Sequence, residues 1–174
     1  MKHHKRIVLT GFMGTGKTAV GEALAKKLGY EFLDTDLMIE QETGKTITDI
    51  FEKEGEVAFR EYEKNMVKKA MAKEKVVIAT GGGAVTDPGN LKLMKEKGIV
   101  IGLSASADTI LQRVSSMDTR PLLKSKDQLK KIQNLLSERS PYYREADEIV
   151  DTTSKPISET IEEIIKALNG KNSR

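Results

Sequence analysis

The chain has no cysteine and no tryptophan, and its aromatic residues are four tyrosines and four phenylalanines among 174 positions. Without a thiol there is no disulfide framework, no thiolate nucleophile and no cysteine-held zinc, so a reducing cytoplasm is the expected compartment. Neither sign of charge dominates. Lys and Arg number 29 against 26 Asp and Glu, a net charge of +3, too small to argue for nucleic acid or a membrane surface as partner. Positive charge that matters here must act by placement, in a cleft that receives anions. Long apolar runs are missing too. Behind the basic start Met1–Arg6, the run Ile7-Val8-Leu9 lasts only three residues, too short for a secretory signal or a membrane span. No long exposed apolar stripe stands out, so a monomer is expected. What remains is a globular composition, 38% hydrophobic and 32% charged. Its length suits one domain that buries roughly two-thirds of its unfolded surface.

Against those absences, one stretch is dense with chemistry. Gly11-Phe12-Met13-Gly14-Thr15-Gly16-Lys17-Thr18 fits G-x-x-x-x-G-K-[ST]. The β-branched run Arg6–Thr10 before it reads as a buried strand. Val20, Leu24 and Leu28 behind it recur at helical spacing over Ala19–Leu28. Strand, glycine loop and helix together give the pattern a physical meaning: backbone N–H groups converge on an anion, and the helix N-terminus adds partial positive charge. Lys17 is placed to reach the outer phosphates of a nucleotide, and the Thr18 hydroxyl to ligate Mg²⁺.

Strand and helix signals alternate through the rest of the chain. Tyr30–Asp34, Lys75–Thr80, Gly98–Leu103 and Glu148–Asp151 read as four further strands, mostly continuous apolar runs of the kind covered on both faces. Pro156 stands in the first turn of a last helix whose stripe is Ile157, Ile161, Ile164, Ile165 and Leu168, ended by Asn169-Gly170. This predicts an α/β three-layer sandwich, a five-stranded parallel sheet with helices on both faces. Two segments break the alternation. Residues 35–73 are far longer than one crossover needs, and residues 114–126 are polar and carry Arg120-Pro121. They read either as a second-substrate insertion and a lid, or as surface decoration. Residues 171–174 read as a disordered tail.

Asp34-Thr35-Asp36 closes the second strand, at the sheet end where ligands of open parallel sheets sit. Two carboxylates beside a triphosphate call for a cation. Mg²⁺ held by Thr18, and by Asp34 through water, meets that need, since the third strand ends in Thr80 and three glycines rather than in an acid. Arg60 and Glu63 share one helix face. They make a surface ion pair, or they aim a guanidinium fork and a carboxylate into the cleft, where Arg suits a bidentate grip on a substrate carboxylate. Gly81-Gly82-Gly83 marks close backbone approach, to a ligand or in a tight turn. Arg113, Arg120 and Arg139 lie in or near the polar segment.

Taken together, these residues resemble the shikimate kinases, from Arg6 to about Leu168. The matching pieces are the Gly11–Thr18 loop, Phe32-x-Asp34-x-Asp36, Ile39-Glu40, Gly44, Ile47, Ile50-Phe51, Gly55-Glu56, Phe59-Arg60-x-x-Glu63, Ala79–Gly83, Arg120–Leu123 and Arg139-x-x-Tyr142. The resemblance implies a P-loop kinase fold with strand order 2-3-1-4-5, and Mg-dependent transfer of the ATP γ-phosphoryl to the 3-hydroxyl of shikimate. It implies ATP on Gly14, Thr15, Gly16, Lys17, Thr18 and Ala19, with Arg113, Lys155 and Pro156 flanking adenine. Shikimate would meet Asp36, Arg60, Gly81, Gly82, Gly83 and Arg139, with Glu63 buttressing that pocket. Catalysis would rest on Lys17, Asp36 and Arg120, the last closing with the lid over the transferring phosphate. Two positions depart from the family pattern: Lys155, where Arg is frequent, and Gly102, where an aromatic is frequent.

Overall fold

A computed structural model describes residues 4–115 and 127–170. Its sheet is built from β1 (Arg6–Gly11), β2 (Glu31–Asp34), β3 (Val76–Ala79), β4 (Ile99–Ser104) and β5 (Glu148–Asp151), all parallel and in the order β2-β3-β1-β4-β5. The five strands expected from the apolar runs are present, each shifted at its ends by no more than a residue. Their side chains alternate between two cores. Ile7, Leu9, Val77, Ile99, Ile101 and Leu103 face one way, where α1 (Lys17–Leu28) and α8 (Ile157–Gly170) cover them with Val20, Leu24, Ile161, Ile164 and Leu168. Val8, Val76, Ile78 and Val100 face the other way, against α4 (Gly55–Ala72) and α5 (Pro88–Lys97) through Val67, Ala70, Met71 and Met94. Burial on both faces is why these strands are apolar throughout.

The stretch between β2 and β3 folds as α2 (Thr35–Thr43), α3 (Ile47–Lys53) and α4, with Ile39, Ile50, Phe59 and Met66 forming a small core of their own. Caps punctuate it. Asp34 accepts from the Asp36 and Leu37 N–H groups at the head of α2, and the Thr46 hydroxyl accepts from Asp49 N–H at the head of α3. Gly44 ends α2 at φ 66°. At the other edge, α6 (Ala107–Ser115) and α7 (Gln128–Tyr143) pack Ile110, Val114 and Ile132 onto Phe12 and Met13 of the glycine loop. Pro156 lies one residue ahead of α8 and not inside its first turn. Its carbonyl accepts the Thr160 N–H, the bond that starts the helix. At Gly102 the end of α7 lies directly on β4. A β-carbon there would stand 3.2 Å from Ala146 Cβ and 3.3 Å from the Tyr143 carbonyl, so the missing aromatic is matched by helix against strand. The expected lid, with Arg120, and the tail 171–174 fall outside the described residues apart from Val114 and Ser115.

Candidate active site

The glycine loop takes its shape from backbone that other residues disfavour. Gly14 at φ 76° and Gly16 at φ 95° lie in the left-handed region, and Gly16 hands the chain into α1. The Thr15 hydroxyl donates back to the Phe12 carbonyl at 2.7 Å. The Lys17 ammonium bonds the Gly11 and Phe12 carbonyls at 2.8 and 3.0 Å, crossing the loop it would share with phosphates. Ala19 follows in the first turn of α1. The Thr18 hydroxyl donates to Asp34 Oδ2 at 2.9 Å, while Asp34 Oδ1 caps α2. One carboxylate therefore serves as cap and as partner of the Thr18 hydroxyl. Two hard oxygens side by side suit a small divalent cation that keeps most of its water.

A second group of residues gathers at the end of β3. A β-carbon on Gly81 would lie 2.6 Å from Glu63 Oε1 and 2.7 Å from Asp36 Oδ1, and one on Gly83 would overlap the Arg60 guanidinium. A β-carbon on Gly82 would stand 3.5 Å from the Gly11 carbonyl and 3.6 Å from Met13 N, on the phosphate loop itself. The three glycines thus form the wall where carboxylates, guanidinium and loop meet. Either reading of Gly81–Gly83, ligand contact or tight turn, was open in the sequence. Close approach to the side chains of Asp36, Glu63 and Arg60 is what the fold supplies.

Arg60 and Glu63 are not a solvated pair. Arg60 NH1 donates to Glu63 Oε2 at 2.9 Å, and Glu63 is only 1% exposed. Burial pushes the Glu63 carboxyl up to about 7, with Asp36 adding to the rise and Arg60 and Arg139 opposing it. Its Oε1 is buried without a hydrogen-bond partner among the described residues. The rest of the Arg60 fork is held by the exposed Glu56, at 3.3 and 3.0 Å. Arg139, on α7, stands 6.0 Å from the centre of the Phe12 ring.

Several contributors escaped the sequence reading. Tyr143, and not the exposed Tyr142, turns toward the site and donates to the Gly82 carbonyl at 2.6 Å. Burial raises its phenol to about 12 against the pull of Arg139, so it stays a donor. Its spacing of four from Arg139 on one helix is the signal that could have found it. Thr35 accepts the Gly81 N–H at 3.0 Å, and Glu56, legible in the sequence only as part of the Gly55-Glu56 match, pairs with Arg60 four residues on.

Arg113 and Lys155, expected beside adenine, are each held by protein partners. Arg113 reaches inward, donating to the Gly14 carbonyl at 3.1 Å and to Thr152 through its hydroxyl at 3.1 Å and its carbonyl at 2.8 Å. Lys155 is paired with Glu163 of α8 at 2.7 Å. A cavity of about 680 Å³ opens behind the loop, lined by Phe12, Thr15, Ser104, Ser140 and Tyr143 among others. Asp36, Arg60 and Glu63 are not among the residues that line it, so this cavity lies apart from the group gathered at the end of β3.

Comparison with known proteins adds an independent line. The family model described as shikimate kinase matches residues 13–169. A shikimate kinase of Caldanaerobacter subterraneus subsp. tengcongensis is 47% identical over 163 residues, covering 94% of this chain and 95% of that one. One of Pelotomaculum thermopropionicum is 47% identical over 97% of this chain and 98% of its own. Among solved structures, shikimate kinase from Acinetobacter baumannii in complex with shikimate superposes with a TM-score of 0.94 at 38% identity, covering 99% of this chain and 97% of that one. A deoxyadenosine kinase from M. mycoides, 19% identical with a TM-score of 0.61 and covering 94% of this chain and 99% of its own, shares the fold.

Proposed function

The chain belongs to the shikimate kinase family, and from that premise we propose how its residues divide the work of moving the ATP γ-phosphoryl to the 3-hydroxyl of shikimate. Gly14 to Ala19 bind the phosphates of ATP, with Lys17 on the transferring group. Mg²⁺ belongs at Thr18, with Asp34 acting through water; when bound it neutralises phosphate charge. Arg60 and Arg139 hold the shikimate carboxylate, Asp36 its ring hydroxyls, and Gly81 to Gly83 the back of the ring. Glu63 fixes Arg60. The Glu56 contact with the Arg60 fork must loosen when a substrate carboxylate takes its place. Arg113, Lys155 and Pro156 flank the base, and Arg120 acts from the lid at about 114–126. The unit as a whole is one domain, with residues 35–73 as its substrate-binding insertion. It works as a cytoplasmic monomer without nucleic-acid or membrane partners. Among the described residues no helix is long and apolar enough to cross a membrane.

Asp36 need not remove the hydroxyl proton before attack. An ordinary carboxylate titrates near ~3.9 and an alcohol near the value for water, roughly 15.7. Early deprotonation would be uphill by about 16 kcal/mol, beyond what tuning by 3–5 units recovers. In a loose phosphoryl transfer the proton can leave late. Asp36 therefore orients the hydroxyl and accepts its proton once bond formation has begun.

The observation that supports this reading is the close approach of Gly82 to the glycine loop, with its neighbours Gly81 and Gly83 set against Asp36, Glu63 and Arg60. ADP release from Mg-ATP, followed with shikimate, gluconate and AMP as separate acceptors, tests it. Turnover with shikimate alone is expected. Turnover with gluconate or AMP in its place would move the acceptor, and binding of ATP with no turnover would favour a silent regulator.

A further inference from the structure

The hydroxyl of Thr152, just past β5, touches more of the nucleotide machinery than any role so far explains. The residue is 3% exposed. Its Oγ1 lies 2.9 Å from the Thr15 carbonyl, 3.0 Å from the Ser104 carbonyl and 3.1 Å from Arg113 NH1. A hydroxyl has one proton to give and can accept in return. The Ser104 carbonyl already receives the Thr152 backbone N–H at 2.8 Å. Arg113 can only donate. With the Ser104 carbonyl already served by that N–H and the Thr15 carbonyl the nearer of the two, the single proton is assigned to Thr15, and the oxygen is left to accept from Arg113.

That bond has a consequence for the loop. In a trans peptide the C=O and the N–H point in opposite directions. Holding the Thr15 carbonyl on Thr152 turns the Gly16 N–H away from β5, and Arg113 holds the preceding peptide through the Gly14 carbonyl. Two consecutive peptides of a left-handed glycine turn, which has few side chains of its own to stiffen it, are thus anchored from outside. We propose that Thr152 is a positioning residue for nucleotide binding: with Arg113 it fixes the two peptides between Gly14 and Gly16 so that the Gly16 N–H meets the phosphates without reorganisation, while the Thr15 N–H is turned back onto the Phe12 carbonyl at 3.3 Å. The inference rests on the reading of the loop as the ATP phosphate site and is independent of which acceptor is used.

Thr152→Val removes the hydroxyl at nearly constant shape, and Thr152→Ser keeps the hydroxyl and drops the methyl group. Calorimetry with Mg-ADP, together with KM for ATP and for shikimate, reads the result. Thr152→Val is expected to weaken Mg-ADP about tenfold, the size of one buried hydrogen bond, and to raise KM for ATP alike. KM for shikimate should stay within about twofold, and Thr152→Ser should bind Mg-ADP like the parent. Equal affinity in Thr152→Val and parent would overturn the proposal. So would a parallel rise in both KM values with no rescue by serine, the signature of a merely structural lesion. Should Thr152→Val not fold, Thr152→Ala against Thr152→Ser makes the same comparison, since that pair differs only by the hydroxyl. If the parent binds Mg-ADP but ignores shikimate, the acceptor reading fails while the loop comparison still decides the role of Thr152.

Discussion

Single side chains carry the sharpest consequences. Asp36→Asn keeps the shape and the hydrogen-bonding reach of the residue but not its capacity for a proton. kcat should fall by about 10²- to 10⁴-fold while ATP affinity stays nearly intact; a matching loss of ATP affinity would mean that Asp36 serves the nucleotide and not the acceptor. Glu63 makes a different statement, about pH. Its folded carboxyl titrates near 7, above the ordinary 4.5, because burial opposes its charge. A raised value means that the folded state binds the proton more tightly than the unfolded chain. The stability Glu63 contributes is thus complete below 4.5 and is lost as pH climbs through about 7, by about 3 kcal/mol at 1.36 per unit. Denaturation at a series of pH values should show that decline in the parent and a flatter profile in Glu63→Gln. Identical slopes would place the Glu63 carboxyl back in the usual range.

At the level of elements, the loop after β3 works because α4 and α2 bring their side chains to bare backbone. Gly83→Ala sets a methyl group into the Arg60 guanidinium, so the fork must move. The expected lesion is selective: shikimate affinity drops at least tenfold, while Mg-ADP binds as before because the glycine loop is untouched. Titration of each ligand separately distinguishes this from general unfolding, which would lower both. The same contacts show why the sequence reading stopped where it did at this scale. The Arg60–Glu63 spacing is equally that of an idle surface pair, and nothing local distinguishes the two. Glu63 becomes a buried partner only because α4 packs Phe59, Met66 and Val67 inward and turns residue 63 with them. Likewise Tyr143 and Thr152 are separated from their contacts by 61 and 137 residues, beyond any periodicity.

At the scale of the whole molecule, the chain places its two chemistries on one sheet edge. β1 feeds the glycine loop, its neighbour β3 feeds the triple glycine, and β2 beyond it delivers Asp34 and Asp36. In a parallel sheet these loops all emerge at the carboxyl ends of the strands. No second copy of the chain is needed to complete this set. Light scattering behind size exclusion should therefore report a particle near the 19.3 kDa of one chain, independent of concentration. A stable mass of twice that would require the exposed Leu37, Val57 or Ile149 to be reconsidered as interface.

Local pattern alone was enough for the strand–loop–helix around Gly11–Thr18, for the five buried strands and for the helix stripes, except that Ile157 of the last stripe is exposed. These depend on short-range spacing, glycine geometry and apolar runs, all of which are written in consecutive residues. The sheet order and the family followed from motif resemblance and agree with the fold. Only the tertiary structure decided that Arg60 and Glu63 face inward, that Tyr143 and not its neighbour reaches the site, and that Arg113 grips the loop backbone. It also decided that Lys155 is engaged by Glu163. Each of those outcomes depends on which face of one element meets another. Packing of distant segments sets that choice, and no run of neighbouring residues encodes it.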